Sequence, residues 1–306
     1  MIWVSGWKLA VAVSRAGGLG LIGAGSMSSK TLALHISKAK AVWGGPLGVN
    51  LPLMREDASD LAKVIVDSGI KIVFSSAGNP AKFTSYFHDN GIIVTHVVPS
   101  LKLALKAQDR GVDAIVGEGF EAGGHNGYEE IATLPLITRL CDNIELPLIA
   151  AGGIRDGRGI LAMLTLGADG AQLGTRFACS KESSASDAYK ESIIIAKEPA
   201  TMLTLKKFMP TRMLRGSFTE KYTTAENSGA EKDELQKILG EKRAKKGIFE
   251  GDLSNGIMES GEVAGDINDI SSVETIMSEL VRGIKISAKK INSLCANEIY
   301  PTKILQ

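Results

Sequence analysis

The chain has 306 residues, 44% of them hydrophobic, and its 35 Lys plus Arg against 34 Asp plus Glu leave a formal net charge of +1. That length suits one α/β barrel or two ordinary domains, and the balanced charge exerts no global pull toward nucleic acid or an anionic membrane. Its cysteines, Cys141, Cys179 and Cys295, are scattered with no CxxC pair, which argues against a disulfide framework or a zinc site and for a reducing compartment.

In chain order, short apolar runs alternate with helical patterns. Lys8–Arg15 reads as a helix, Leu19–Gly23 as a strand, and the segment carrying Leu32, Leu34, Ile36 and Val42 as the next helix. Leu47–Leu53, Ile70–Ser75, Ile92–Val98, Ala114–Gly117, Pro147–Ala151 and Gly170–Phe177 read as further strands. Helices are predicted around Leu61–Asp67, Ala81–Asn90, Leu101–Arg110, Leu134–Cys141 and Ile160–Leu166. Strand then helix, with short turns, predicts a parallel sheet, and the regular spacing favours a TIM-like (β/α)8 barrel over an open doubly wound sheet. One strand is wanting: it would lie before Met1 or be reduced to Met1–Val4.

Beyond Phe177 the pattern changes. Asp187–Ala196 reads as the last barrel helix. Residues 198–252 are charged and expected to be helical in part, most clearly over Glu231–Lys246. Ser254–Ile270 is rich in glycine and acidic residues, and Val273, Ile276, Met277, Leu280, Val281 and Ile284 then repeat at helical spacing. The expected organisation is a barrel over residues 1–197, an appended helical, glycine-rich subdomain over its rim at 198–293, and a loose tail at 294–306. No secretory signal pattern or bilayer-spanning apolar run is present, so a cytoplasmic location is expected.

A parallel barrel carries its ligand site at the C-terminal ends of the strands. Gly152 and Gly153 end one strand, and Gly174 and Thr175 fall near the rim end of the next predicted strand segment. Backbone N–H groups at such turns, close to helix N-termini, make anion sites. One glycine pair alone would merely turn the chain; two pairs on consecutive strands favour a bound phosphate. Asp156 is placed to cap the helix that follows. No GxxxxGK[ST] motif is present, and Gly17-Gly18-Leu19-Gly20 precedes a strand, the wrong order for a dinucleotide fingerprint.

His125 lies between Gly124 and Asn126-Gly127, without the packing cover a core histidine wants. As the side chain that titrates nearest neutrality, it is the candidate proton-transfer residue. His96, near a strand end, is balanced between site and core; His35 and His88 sit in helical patterns and read as structural or surface residues. One of Glu118 and Glu121 is expected to face the barrel interior. Glu129 and Glu130 suit a solvated turn as well as a site. The basic run Lys242-Arg243-Ala244-Lys245-Lys246 reads as a solvated helix face, with an acidic partner as the minority reading. No metal ligand set is found.

Six motifs carry a family resemblance: AGGLGLIGAG at Ala16–Gly25, PLGVNLPL at Pro46–Leu53, SSAGNP at Ser75–Pro80, EGFEAGGHNG at Glu118–Gly127, IAAGGIRDGRG at Ile149–Gly159 and GADGAQLGTRF at Gly167–Phe177. In this order the chain resembles the FMN-dependent nitronate monooxygenase (2-nitropropane dioxygenase) family, which includes the flavoprotein enoyl-acyl-carrier-protein reductase II. The resemblance implies FMN at the barrel rim. Asn50, Glu118, Gly123, Gly153, Gln172, Leu173, Gly174 and Thr175 fall at cofactor-binding positions, and His125 at the active-site histidine. It implies an oxidoreductase acting on a small molecule or an acyl thioester. NAD(P)H is a candidate reductant, acyl carrier protein a candidate partner and a homodimer a candidate assembly. Glu118, where many monooxygenases carry Gln, and KESSASDAYKE at Lys181–Glu191 lean slightly toward the reductase; nitronate oxidation with oxygen is the alternative. The family's Gly-Gly-Met or Gly-Pro-Met turn is matched here by Met1 alone, which keeps a third reading open, a degenerate barrel without catalysis. A flavin-free isomerase or aldolase lacks its expected lysine at a strand end.

Overall fold

A computed structural model of the chain describes residues 1–296. Its strands are β1 (Leu21–Gly23), β2 (Gly48–Pro52), β3 (Ile72–Ser76), β4 (Ile93–Val98), β5 (Ala114–Glu118), β6 (Gly124–His125), β7 (Leu148–Ala151), β8 (Gly170–Gln172), β9 (Thr201–Thr204) and β10 (Thr211–Leu214). Its helices are α1 (Trp7–Arg15), α2 (Ser29–Val42), α3 (Ala58–Asp67), α4 (Thr84–Asp89), α5 (Leu101–Asp109), α6 (Thr133–Cys141), α7 (Gly157–Thr165), α8 (Thr175–Ala178), α9 (Asp187–Ile195), α10 (Ser217–Asn227), α11 (Lys232–Leu239) and α12 (Val273–Ala296). Of the tail expected at 294–306, Leu294–Ala296 continue α12, and residues 297–306 lie outside the described residues.

Seven strands form one parallel sheet in the order β1-β2-β3-β4-β5-β7-β8, and helices cover its outer face. This is the expected TIM-like architecture. Period-two alternation assigns the two faces. Ile22, Val49, Leu51, Val73, Val94, Val98, Ile115, Leu148 and Ala150 pack outward against the helices. Phe74, Val116 and Ala151, with Leu21, Ile72, Val97 and Ile149, pack inward in the lumen. Parallel register then decides the polar residues. Asn50 pairs with Phe74, and Glu118 and Gln172 both flank Ala151, so all three point into the lumen. His96 pairs with Ser75 and Ile115 and therefore faces the helices.

Among the described residues β1 and β8 share no ladder, so the sheet curls without closing. At the rim, Met1–Gly6 occupies the gap. Ser5 Oγ donates to Leu21 O (2.5 Å), and the Gly23 N–H donates to Ser5 O (2.9 Å). On the outside, α12 returns to pack along α7 and α1.

Two readings are corrected here and a third is extended. The strand predicted over Gly170–Phe177 stops at Gln172, because Gly174 is the N-cap of α8, which begins at Thr175. Residues 198–252, expected to be helical in part, also hold a hairpin: β9 and β10 pair antiparallel, and β10 pairs with β6. Four-residue strands are too short to show a period, and their third partner lies far back in the chain. The helix predicted over Glu231–Lys246 ends at Leu239, where Gly240 turns out of it at φ +57°.

Candidate functional site

The lumen opens at the C-terminal ends of the strands into a cavity of about 1040 Å³, large enough for a cofactor together with part of a substrate. Asn50, Glu118, Gly123, Gly153, Gln172, Leu173, Gly174, Thr175 and His125, the whole set picked out from the sequence, lie along its wall.

The β7 and β8 side is an array of backbone donors. Gly152 and Gly153 turn through φ +96° and +68°, the left-handed region that favours glycine. The N–H groups of Gly153, Gly174 and Thr175 find no acceptor among the described residues. The Asp156 carboxylate accepts from the N–H groups of Arg158 (2.9 Å) and Gly159 (3.3 Å), capping α7 as expected. Arg155 and Arg158 beside it hold its carboxyl well below the usual range despite its partial burial. Gln172 Oε1 is buried in the wall with no hydrogen-bond partner, a cost a folded chain seldom leaves unmet. Thr175 Oγ1 accepts from the Gly261 N–H (2.8 Å), which leaves its own proton free to donate.

Asn50 Nδ2 donates to Phe74 O (2.9 Å) and lies 3.2 Å from Ser76 Oγ, so its Oδ1 is the end left for a ligand. Of the two glutamates before the histidine loop, Glu118 is the inward one. Burial pushes its carboxyl up to about 7. Glu121 instead accepts from Thr133 N (2.9 Å) and Thr133 Oγ1 (2.8 Å), closing the N-terminus of α6.

The loop carrying His125 follows β5 and forms the neighbouring wall, next to the β7 turn: a Cβ on Gly153 would lie 3.3 Å from Glu121 Cβ. Gly124 turns at φ +83°, and Asn126 Nδ2 donates back to Ala122 O and Gly124 O, both at 2.9 Å. Gly123 meets another need: a Cβ there would lie 2.5 Å from Gly261 N and 2.6 Å from Ser260 C. The loop can approach that strap only with glycine at this position. The strap, Glu259–Glu262, was not singled out from the sequence. It touches both walls, through Gly261 N to Thr175 Oγ1 and Glu262 N to Glu121 O (2.9 Å). A serine and a glycine between two acids give no periodic signal, and only the fold brings them to the mouth.

The other histidines resolve as follows. His96 is buried mid-strand, its Nδ1 2.8 Å from Ser75 Oγ, at the edge of the cavity and on the helix side of the sheet. Burial lowers its imidazole to about 4, so it is neutral near pH 7. His35 Nδ1 accepts from Trp7 N (3.2 Å) at the start of α1, and His88 pairs with Asp113 at 2.9 Å; both are structural, as read. Glu130 pairs with Lys206, while Glu129 borders the mouth. In the basic run, Arg243 donates to Leu239 O and Ile238 O at the end of α11, and Lys245 pairs with Glu250. No cluster suited to a metal ion occurs among the described residues.

The result is an unclosed parallel α/β barrel with unengaged backbone donors on its last strands and a histidine on the neighbouring loop, at the strand ends where barrels carry their ligand sites. Residues 1–68 and, in a second overlapping stretch, 61–283 match the nitronate monooxygenase family. The chain belongs to that family and is by class an oxidoreductase. It is 37% identical to FabK from Thermotoga maritima, with a TM-score of 0.90 over 96% of this chain and 93% of that one. It is 29% identical to (3aS,4S,5R,7aS)-5-hydroxy-7a-methyl-1-oxo-octahydro-1H-indene-4-carboxyl-CoA dehydrogenase of Mycobacterium tuberculosis, over 92% of this chain and 90% of that protein. A probable nitronate monooxygenase of Staphylococcus saprophyticus is 30% identical over 70% of this chain and 73% of its own length. The structure of a nitroalkane oxidase from Streptomyces ansochromogenes shares the fold, with a TM-score of 0.83 at 23% identity. No helix among the described residues is long and apolar enough to cross a membrane.

Proposed function

We propose that this chain is an FMN-dependent oxidoreductase that reduces an enoyl-acyl thioester, with NAD(P)H as the reductant. The observation that carries the reading is a single cavity with unengaged backbone donors and the orphaned Gln172 Oε1 on one wall and His125 on the other. Those residues fit FMN. The N–H groups of Gly153, Gly174 and Thr175 would hold its phosphate, helped by the Thr175 hydroxyl. Gln172 Oε1 and Asn50 Oδ1 would accept from the ring's polar edge, with Leu173, Gly123 and Glu118 lining it. When bound, FMN supplies a two-electron relay between NAD(P)H and the substrate.

The chain's own residues then handle the proton. Reduction adds a hydride equivalent to the β-carbon and a proton to the α-carbon, converting the C=C bond to a single bond as NAD(P)H becomes NAD(P)+. A protonated imidazole nitrogen of His125 supplies that proton, and solvent reaching the accessible ring restores it. The lumen's apolar lining of Leu21, Phe74, Val97 and Ile149 suits an acyl chain. The CoA ester in the name of the mycobacterial relative supports a thioester substrate. Acyl carrier protein is the corresponding macromolecular partner, and the chemistry suits a cytoplasmic enzyme, monomeric or dimeric.

The similarity to a probable nitronate monooxygenase favours a second reading, in which His125 acts as base toward a nitroalkane and oxygen is the oxidant. Anaerobic mixing of FMN-loaded protein with NADH or NADPH separates the two. Rapid bleaching of the flavin spectrum, reversed by an enoyl thioester, is expected. No bleaching, together with oxygen uptake on an alkyl nitronate, would establish the second reading. Protein that cannot be loaded with FMN would remove both and leave the degenerate barrel.

A further inference from the structure

We infer that Arg212, on β10, is a positioning residue for His125. This rests on the proposed role of His125 as the proton-bearing group. Asn126 Nδ2 bonds back to Ala122 O and Gly124 O within the histidine loop, but β6 is two residues long, and Gly123 and Gly124 offer no side chain to anchor. The rest of its geometry comes from outside. Thr211 pairs with His125 and Arg212 with Gly124, and Asn126 N donates to Pro210 O (2.7 Å).

Arg212 ties this contact to three other segments. It is 5% exposed, its Nε donates to Phe120 O (2.8 Å), and its guanidinium lies over the Phe120 ring at 5.1 Å. Its Nη1 donates to Thr201 Oγ1 (3.0 Å) and forms an ion pair with Glu262. Thr201 Oγ1 in turn donates to Glu262 Oε2 (2.5 Å), and Glu262 N to Glu121 O (2.9 Å). Phe120 is thus held by the guanidinium itself, Glu121 through the Glu262 it pairs with, and Gly124 by the Arg212 backbone, so both ends of the loop meet one residue. A planar fork of five donors can serve acceptors on separate segments, which a lysine ammonium cannot do in the same geometry. Arg212 itself does not line the cavity, so it acts through the loop and not on the substrate.

The test uses FMN-loaded Arg212→Lys and, in case that variant folds poorly, Glu262→Gln. Hydrogen exchange is followed by mass spectrometry on peptides covering 119–128, with a peptide over β2 and β3 as control. Exchange over 119–128 should speed up about tenfold or more with the control unchanged. FMN affinity of Arg212→Lys should stay within about threefold of wild type, and kcat should fall about 10- to 100-fold with a smaller change in KM. Added to His125→Ala, Arg212→Lys should cost less than about twofold further, since its action passes through the ring already removed. Unchanged exchange over 119–128 in both variants would overturn the proposal, as would a full multiplicative loss in the His125→Ala background. If His125→Ala alone keeps wild-type turnover, the reading of His125 fails, while the exchange result still decides whether Arg212 holds the loop.

Discussion

The Gly152-Gly153 turn and the start of α8 each fall within a βα unit, a few positions from the helix they feed, with one outside bond apiece, from Thr133 Oγ1 to Gly152 O and from Gly261 N to Thr175 Oγ1. The neighbouring His125 loop takes much more of its shape from distant chain. Arg212 reaches Phe120 from 92 positions away, and the Thr175–Gly261 bond that ties the two sides together spans 86. A barrel thus delivers the proposed anion cradle as a by-product of its own repeat, whereas the proposed proton-transfer residue needs a second layer of structure to hold it. The two walls should therefore respond to different substitutions.

The largest effect expected on the cradle alone comes from Gly153→Val. A β-branched residue at φ +68°, with the Glu121 Cβ only 3.3 Å from the new Cβ, must move the turn. FMN affinity, measured by fluorescence titration, should fall on the order of 100-fold, with exchange over peptides covering β9 and β10 unchanged. Loosening of that hairpin in this variant would erase the distinction between the glycine turn and the layer that holds His125.

Glu118→Gln tests the floor that both walls share. Because burial raises the folded carboxyl to about 7, the cofactor-free folded chain keeps a proton that the unfolded chain releases near the ordinary carboxylate value. Stability therefore falls as pH rises between those two values and is lowest, on this account, above about 7. Glu118→Gln should flatten that slope and be more stable than wild type at pH 8 by about 2–3 kcal/mol at most. Parallel denaturation curves at pH 5 and pH 8 would show that Glu118 is not the strained group.

Gln172→Leu should produce the smallest change, with opposite signs in two assays. Removing a buried acceptor that has no partner should raise the cofactor-free melting stability by about 1 kcal/mol and weaken FMN binding severalfold. Loss of stability together with unchanged FMN binding would mean that Gln172 serves the fold and not the ligand.

The same local-versus-distant division decided what could be read before the fold was known. The βα period, the glycine turns, the Asp156 cap and the exposed His125 all announce themselves within a dozen residues. Even the wanting strand was visible as an incomplete count. The hairpin, the Glu259–Glu262 strap and Arg212 were not, because their partners lie in other segments and four-residue strands carry no period. His96 was undecidable for a related reason: whether it faces lumen or helices is fixed by its register with Ser75 and Ile115, which only the sheet reveals. Between Glu118 and Glu121, three positions apart, the choice likewise waited for the Thr133 hydrogen bonds that claim Glu121 for the start of α6.

The central claim is that the β7 and β8 turns hold the phosphate while His125 handles the proton, and turnover of FMN-saturated His125→Ala tests it most directly. The account predicts an FMN dissociation constant within about threefold of wild type and a kcat lower by about 10²- to 10⁴-fold. Wild-type turnover in this variant, or FMN affinity collapsing along with turnover, would contradict it.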